Sequence, residues 1–465
     1  MLARDAVTEV AQELAGASFE DARLARRLTL LAERLGASPS LSFPRCMSAS
    51  ELEAAYRFFA NVNVTPELIL SGHYESTRRR TADEPIVLVV HDSTTIAFDE
   101  NGQRIGLGRL RSTGQAFFAH LSLVLADDGS RRPLGVAALD TWVRDDAPKE
   151  RDTSERDRWL RGVERAASRI GSSCALVHVM DREADNYALI TALVEKGHRF
   201  VIRLAYDRLL ETTAADGPRK LLQAMARVEC VVQRDARLSS RSDKSRSPKQ
   251  KKIHPSRKPR VAKLAIGSDS LAIRRSQKLS NALPESLTLN VVRVWEPEPP
   301  DGEAPVEWLL LTSDPVETTD DLVRIVDRYR ARWTIEEYFK ALKTGCSFEE
   351  RQLGDYEGLV NALAVFVPIA VRMLLLRSEA HRMADAPAQR ILDDDEIDVL
   401  RAAGRRPLPQ HHTNRDLLLA VAALGGHIKY APDPGWLTIA RGFEKLETLV
   451  TGWRLAKLQP DRDQR

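Results

Sequence analysis

Two aspartates stand at the ends of apolar, β-branched runs. Ile86-Val87-Leu88-Val89-Val90 leads into His91 and Asp92, and Ala175-Leu176-Val177-His178-Val179-Met180 leads into Asp181. Continuous runs of this kind are expected of strands buried on both faces. In open α/β sheets the carboxyl ends of such strands carry ligand-binding and catalytic groups. Hard divalent cations take carboxylate oxygens, and a pair of ions needs one bridging carboxylate and at least one more. A strand-end aspartate also commonly caps the following turn, so either residue alone says little. Together they predict metal-dependent phosphoryl chemistry and ask for a third acid.

Helical geometry supplies that acid. A helix is predicted from about Asp321 to Thr344. At 100° per residue, Tyr329, Arg332, Glu336 and Lys343 fall on a stripe about 60° wide. Ile335, Phe339 and Leu342 form an adjacent apolar stripe that would dock the helix, and Glu337 points away. An acid flanked by two cations and a phenol suits a metal ligand among phosphate-binding donors. An exposed helix laced with ion pairs is the alternative from periodicity alone.

The elements around these residues can be read in order. Residues 18–82 read as helices: Ser18 with Asp21 and Ser48 with Glu51 resemble capping boxes, and Thr65-Pro66-Glu67 starts a third helix. Arg23, Arg26, Arg27 and Arg34 lie off the leucine stripe of the first, either as a solvated face or as a DNA-reading one. From Pro85 the pattern turns to strands, with others expected at Ala119–Ala126, Leu134–Val143 and Arg199–Leu204. Helices are expected at Ser154–Ile170 and Ala184–Glu195. Three strands, helix, strand, helix, strand is the order of an RNase H-like α/β core. Residues 206–304 read as a β-rich insertion with a basic loop, and helices dominate after Trp308-Leu309-Leu310-Leu311-Thr312.

Charge points to a polyanionic partner. Between Arg234 and Lys263 twelve Lys/Arg face two Asp, a local +10 that leaves −7 for the rest of a chain whose net charge is +3. The four cysteines are widely separated, which argues against a zinc ribbon or a disulfide framework and fits a reducing cytoplasm. The run Leu359–Leu376 is interrupted by Asn361, Pro368 and Arg372, so a buried bundle helix is expected rather than a membrane span.

The spacing Y-x2-R-x3-E-x6-K, as Tyr329, Arg332, Glu336 and Lys343, resembles the signature of the insertion-sequence-four family of DDE transposases, and most of all its Tn-five-type cut-and-paste members. AAYRFFANVNVTPELI at 54–69, HDSTTIAF at 91–98, DREADNYALI at 181–190, RFVIR at 199–203, WLLLTSDPVE at 308–317 and LGGHIKYAPDPGW at 424–436 agree in order and spacing. The resemblance implies that Asp92, Asp181 and Glu336 bind two Mg²⁺ ions, for which Mn²⁺ substitutes. It implies that Tyr329, Arg332, Lys343 and Arg203 contact transposon-end phosphates, and that Trp308 stacks on a flipped base. Arg23 and Arg27 are carried as end-binding candidates. Also implied are a homodimer through the C-terminal helices, where Gly435-Trp436 and Trp453 lie, and terminal-repeat and target DNA as partners. The expected parts are an end-binding helical domain at 1–82, a catalytic core at 83–375 and a dimerisation region at 376–465. A cytoplasmic, nucleoid-associated bacterial location follows from the same resemblance.

Other residues carry plainer expectations. His91 and His178 alternate to the opposite strand face and should be packed. Glu183 and Asp185 should favour the N-terminus of the next helix. The alternative for Trp308 is an ordinary core residue at a strand start. A hydrolytic nuclease of the same fold, and a DNA-binding protein without activity, are the competing functions.

Overall fold

The computed structural model describes residues 10–99, 103–110, 114–144, 155–211, 217–240, 256–387, 391–428 and 433–457. Five helices come first: α1 (Val10–Leu14), α2 (Ala22–Ala37), α3 (Phe43–Cys46), α4 (Ala49–Phe59) and α5 (Pro66–Thr81). Strands β1 (Ile86–Phe98), β2 (Gly108–Leu110), β3 (Gly114–Ala126) and β4 (Pro133–Trp142) follow, then α6 (Glu155–Ile170), β5 (Ala175–Met180), α7 (Tyr187–Glu195) and β6 (Arg199–Arg203). Next are α8 (Leu221–Ala226), β7 (Val232–Leu238), β8 (Arg260–Arg274), β9 (Ser286–Trp295) and β10 (Glu307–Thr312). The remainder is helical: α9 (Thr319–Ala331), α10 (Trp333–Lys340), α11 (Tyr356–Arg382), α12 (Asp394–Ala403), α13 (Asn414–Leu424) and α14 (Trp436–Lys457). The expected order of strands and helices from β1 to β6 is present, with the short β2 added. The start expected at Ser154 lies outside the described residues.

These elements form two compact units, one of residues 1–154, 161–175 and 333–465 and the other of 155–160 and 176–332. In the first, β3 pairs antiparallel with β1 on one side and with β2 and β4 on the other. Strand β1 does not end at Val90. It runs thirteen residues, and Asp92 sits inside it opposite Leu121. The β-branched Thr94, Thr95 and Ile96 keep the chain extended and paired with β3 beyond the apolar run.

The N-terminal helices are capped much as the sequence suggests. Ser48 and Glu51 form a reciprocal capping box and Thr65 caps α5, but α2 is capped by Asp21, whose carboxylate accepts from Arg23 N–H; Ser18 is not the cap. These helices are not an isolated bead. Helix α5 lies on β4, and α1, α2, α4 and α5 all pack against α11. Asn361 of α11 donates to the carbonyls of Phe59 (2.9 Å) and Val64 (3.1 Å), tying down the turn between α4 and α5. Helix α11 is long and apolar enough to cross a membrane, and its apolar window is wholly buried within the described residues.

In the second unit the strand order is β5-β6-β10-β9-β8-β7, parallel between β5 and β6 and antiparallel thereafter. The expected insertion therefore prolongs this sheet through β9, β8 and β7. The basic stretch expected as a loop falls largely on residues 241–255, outside the described residues. The long helix predicted from Asp321 to Thr344 is broken. Helix α9 ends at Ala331 and is capped by Arg332, whose N–H bonds back to Tyr329 O (3.0 Å) in a tightened turn. Helix α10 then passes into a π-helical turn at Ala341–Gly345, closed by Cys346 N–H on Ala341 O (2.8 Å). A π turn inserts one residue into the helical repeat and re-aims the side chains beyond it.

Candidate active site

Within the second unit, register brings several of the expected residues to one end of the sheet. Strands β5 and β6 run parallel with Met180 beside Ile202, so Asp181 and Arg203 follow at the same level. Strand β10 runs the other way, with Leu310 opposite Arg203, and Leu204 N–H bonds to Leu309 O (2.9 Å). The start of β10, with Trp308, thus lies beside the end of β6, and Arg203 Nη2 donates to Glu307 O (3.4 Å). The half-buried Trp308 meets Tyr329 of α9 edge-on, ring centroids 5.7 Å apart. Tyr329 is only 6% exposed, so in this structure its ring chiefly packs against the indole.

Asp181 caps the next turn, a 3-10 helix at Arg182–Ala184; its Oδ1 accepts Glu183 N–H at 2.8 Å. His178 is fully buried edge-on to His198, 5.4 Å between centroids. Burial first, and the neighbouring imidazole second, push its pKa down to about 3, which keeps it neutral and packed as alternation predicts.

The first unit holds the other two acids on elements that touch: α10, with Glu336, packs against β1, with Asp92. Asp92 is 8% exposed and its Oδ1 accepts Ser93 N–H at 2.8 Å. Behind it, His91 Nδ1 meets Ser122 Oγ (3.0 Å) and Ser93 Oγ meets His120 Nδ1 (2.9 Å), with the two imidazoles stacked. Glu336 is half-buried on the first turn of α10. Ile335, Phe339 and Leu342 are buried as the stripe predicts. Glu337 turns elsewhere, to Lys340 at 2.7 Å. Arg332, half-buried, caps the C-terminal end of α9. Past it, the π turn brings Lys343 Nζ onto the carbonyl of Thr95, 3.5 Å from Glu349 Oε1, and Glu349 also accepts Ala97 N–H (3.0 Å). Lys343 therefore latches the helix end to β1.

On α2, Arg23 is exposed and bonded to Asp21, Arg34 pairs with Glu51, and Arg27 is half-exposed. In the C-terminal region Trp436 is core, 6% exposed under the Arg377 guanidinium, whereas Trp453 is 37% exposed. Among the described residues no group of three His, Cys, Asp or Glu side chains is arranged to hold a metal ion. The donor chemistry present is hard carboxylate oxygen, the type that Mg²⁺ and Mn²⁺ take.

Two anchors escape sequence reasoning. Asp314 accepts from Arg199 (2.7 and 2.9 Å) and from the buried Arg328 (2.6 Å), joining β6 and α9 at the end of β10. Asp185, expected as a favourable charge at a helix N-terminus, is instead 3% exposed and holds the segment after β6; Asn186 caps α7. Both are long-range pairings, for which spacing along the chain gives no signal.

Residues 8–64 match the family described as Transposase DNA-binding. Residues 84–366 match the one described as Transposase DDE domain. Among solved structures, a piggyBac transposase in a synaptic complex with hairpin DNA shows 8% identity and a TM-score of 0.37. That alignment covers 90% of this chain and 64% of the piggyBac chain.

Proposed function

The chain belongs to the Transposase DDE domain family, and from that premise we propose that it is a cut-and-paste DNA transposase of the insertion-sequence-four, Tn-five-like kind. The observation that carries the reading is the family match across 84–366, supported by the acids Asp92, Asp181 and Glu336 that the sequence resemblance singles out. The catalytic part, 83–375, is read as an RNase H-like core with the 206–304 insertion. It is preceded by an end-reading helical part at 1–82, in line with the match at 8–64, and followed by a dimerising part at 376–465.

In this reading Asp92, Asp181 and Glu336 hold two Mg²⁺ ions, or Mn²⁺ in their place. When bound, the ions supply the positive charge that an in-line displacement at phosphorus needs. Arg203, Arg332 and Lys343 bind phosphate oxygens, with Tyr329 supporting them, and the arginines fix orientation by paired N–H donors. Trp308 takes up the face of a base turned out near the terminus. Arg23 and Arg27 contribute phosphate contacts at the end sequence. Water attacks the scissile phosphate and releases a 3′-hydroxyl. That hydroxyl attacks the opposite strand and closes a hairpin, water reopens the hairpin, and the freed 3′-hydroxyl attacks target DNA. Each step makes one P–O bond and breaks another, so one constellation serves all four. A homodimer pairs two ends, and the protein works on the bacterial nucleoid.

The test uses the DNA flanking the gene. Labelled duplexes carrying its terminal inverted repeats, incubated with protein and Mg²⁺, are expected to yield nicked, hairpin and joined species in that order. Hydrolysis without joining would overturn the transposase reading in favour of a nuclease, and binding without cleavage would leave a DNA-binding protein.

A further inference from the structure

The last residue of the Asp181-Arg182-Glu183-Ala184-Asp185 turn has a partner set that its place in the sequence does not explain. The turn itself is stiff: Asp181 Oδ1 and O accept from Glu183 N–H (2.8 Å) and Ala184 N–H (3.2 Å), and Arg182 O accepts from Asp185 N–H (3.3 Å). The Asp185 side chain is fully buried. Its Oδ2 accepts two backbone N–H groups from the segment after β6, Ala205 (2.6 Å) and Tyr206 (3.0 Å). Its Oδ1 is ion-paired with Arg208, which also donates to the Asp185 carbonyl (3.1 Å). Four bonds from residues 205–208 therefore end on a residue four places after Asp181. Parallel pairing of β5 and β6 aligns the strands only as far as Met180 and Ile202. Beyond that level, Asp185 ties the turn after β5 to the segment after β6.

We propose that Asp185 is a positioning residue for the phosphoryl-transfer chemistry: it fixes Asp181 relative to Arg203 and the segment that follows. The proposal rests on the transposase reading above. Loss of the carboxylate orphans two part-buried backbone N–H groups and a guanidinium. The segment after Arg203 is then free to shift, and misplacement by about an ångström costs on the order of a hundredfold in rate. An asparagine whose oxygen occupies the Oδ2 position keeps both backbone bonds but turns its NH₂ toward Arg208. Removing the charge of Arg208 relieves that conflict.

The experiment measures, on the full-length protein, end-binding Kd, melting temperature and single-turnover nicking at saturating protein. Asp185→Ala is expected to bind ends within about threefold of wild type, yet to nick roughly tenfold to a hundredfold more slowly per bound end. Asp185→Asn should also be slow, and Asp185→Asn combined with Arg208→Gln should recover to within about threefold of wild type. Wild-type nicking by Asp185→Ala overturns the proposal, as does a loss that merely tracks lost folded protein. Should Asp185→Ala not fold, Asp185→Asn is compared with the double variant, and equal rates overturn it. Failure of the wild-type protein to nick counts against the transposase reading itself, a result separate from all of these.

Discussion

Asp92, Asp181 and Glu336 differ in surroundings: inside a paired strand, capping a turn, and half-buried on a helix. Asp92→Asn, Asp181→Asn and Glu336→Gln are each expected to abolish Mg²⁺-dependent cleavage and to leave end binding within a few-fold, measured by gel shift and labelled-end cleavage. Robust cleavage by any one variant removes that residue from the site. Trp308→Ala is expected to slow hairpin closure by roughly one to two powers of ten more than nicking, because base stacking on an aromatic face is worth about 1–3 kcal/mol. Equal losses would reduce the indole to its packing against Tyr329. A third expectation concerns pH. Glu13 Oε2 meets His73 Nδ1 at 2.6 Å, Val136 N–H donates to His73 Nε2 at 3.0 Å, and Arg80 adds a bidentate pair. Burial alone would raise the Glu13 pKa, but His73 and Arg80 outweigh it and bring it from 4.5 to about 2. A depressed carboxylate stabilises the fold above its unfolded pKa, so about 3 kcal/mol is fully present above pH 4.5 and lost as pH falls toward 2. Urea midpoints from pH 6 to 3 should drop more steeply for wild type than for Glu13→Gln; parallel curves would sink the assignment.

Elements show where legibility stops. The apolar runs of β1, β5 and β6, and the caps at Ser48 and Thr65, are visible in sequence because strands and helix starts have local signatures. The break at Arg332 and the π turn are not: no Gly or Pro marks the break, and the contact made from the π turn, Lys343 on the Thr95 carbonyl, joins residues 248 positions apart. The same holds for α5 against β4. Gly135 has φ +142°, and a Cβ there would fall 2.1 Å from Thr77 Oγ1. Gly135→Ala should lower stability by roughly 2–3 kcal/mol through strain and overpacking. An unchanged melting temperature would mean that α5 slides freely on β4. The C-terminal helices have a packing role besides any dimer contact: α14 lies on α2, and Glu444 accepts from Ser40 N–H (3.0 Å).

Across the whole molecule, the charge distribution is legible in sequence, because electrostatics is written in residue types. The partition of the chain is not. Two basic residues within the +10 stretch are used internally, Arg234 on Asp327 and Arg260 on Glu296. Residues 241–255 contain six more Lys/Arg, and deleting them should flatten the salt dependence of DNA binding by up to about five in log–log slope. An unchanged slope would show that they do not meet phosphate.

The interleaving of the first unit has a consequence for how the protein is made. Residues 176–332 supply nearly all of the second unit and leave the ribosome as one stretch. The first unit begins earlier but waits for 333–465, because α1, α2, α4 and α5 pack on α11. At 5–20 residues per second, those 133 residues add roughly 7–27 s of synthesis. The N-terminal helices and Glu336 therefore depend on the same later stretch: neither has its full set of packing partners until α11 has been made. On the proposed reading, a nascent chain cannot present its end-reading helices, docked on the body that holds Glu336, to the gene it is being read from until α11 has emerged.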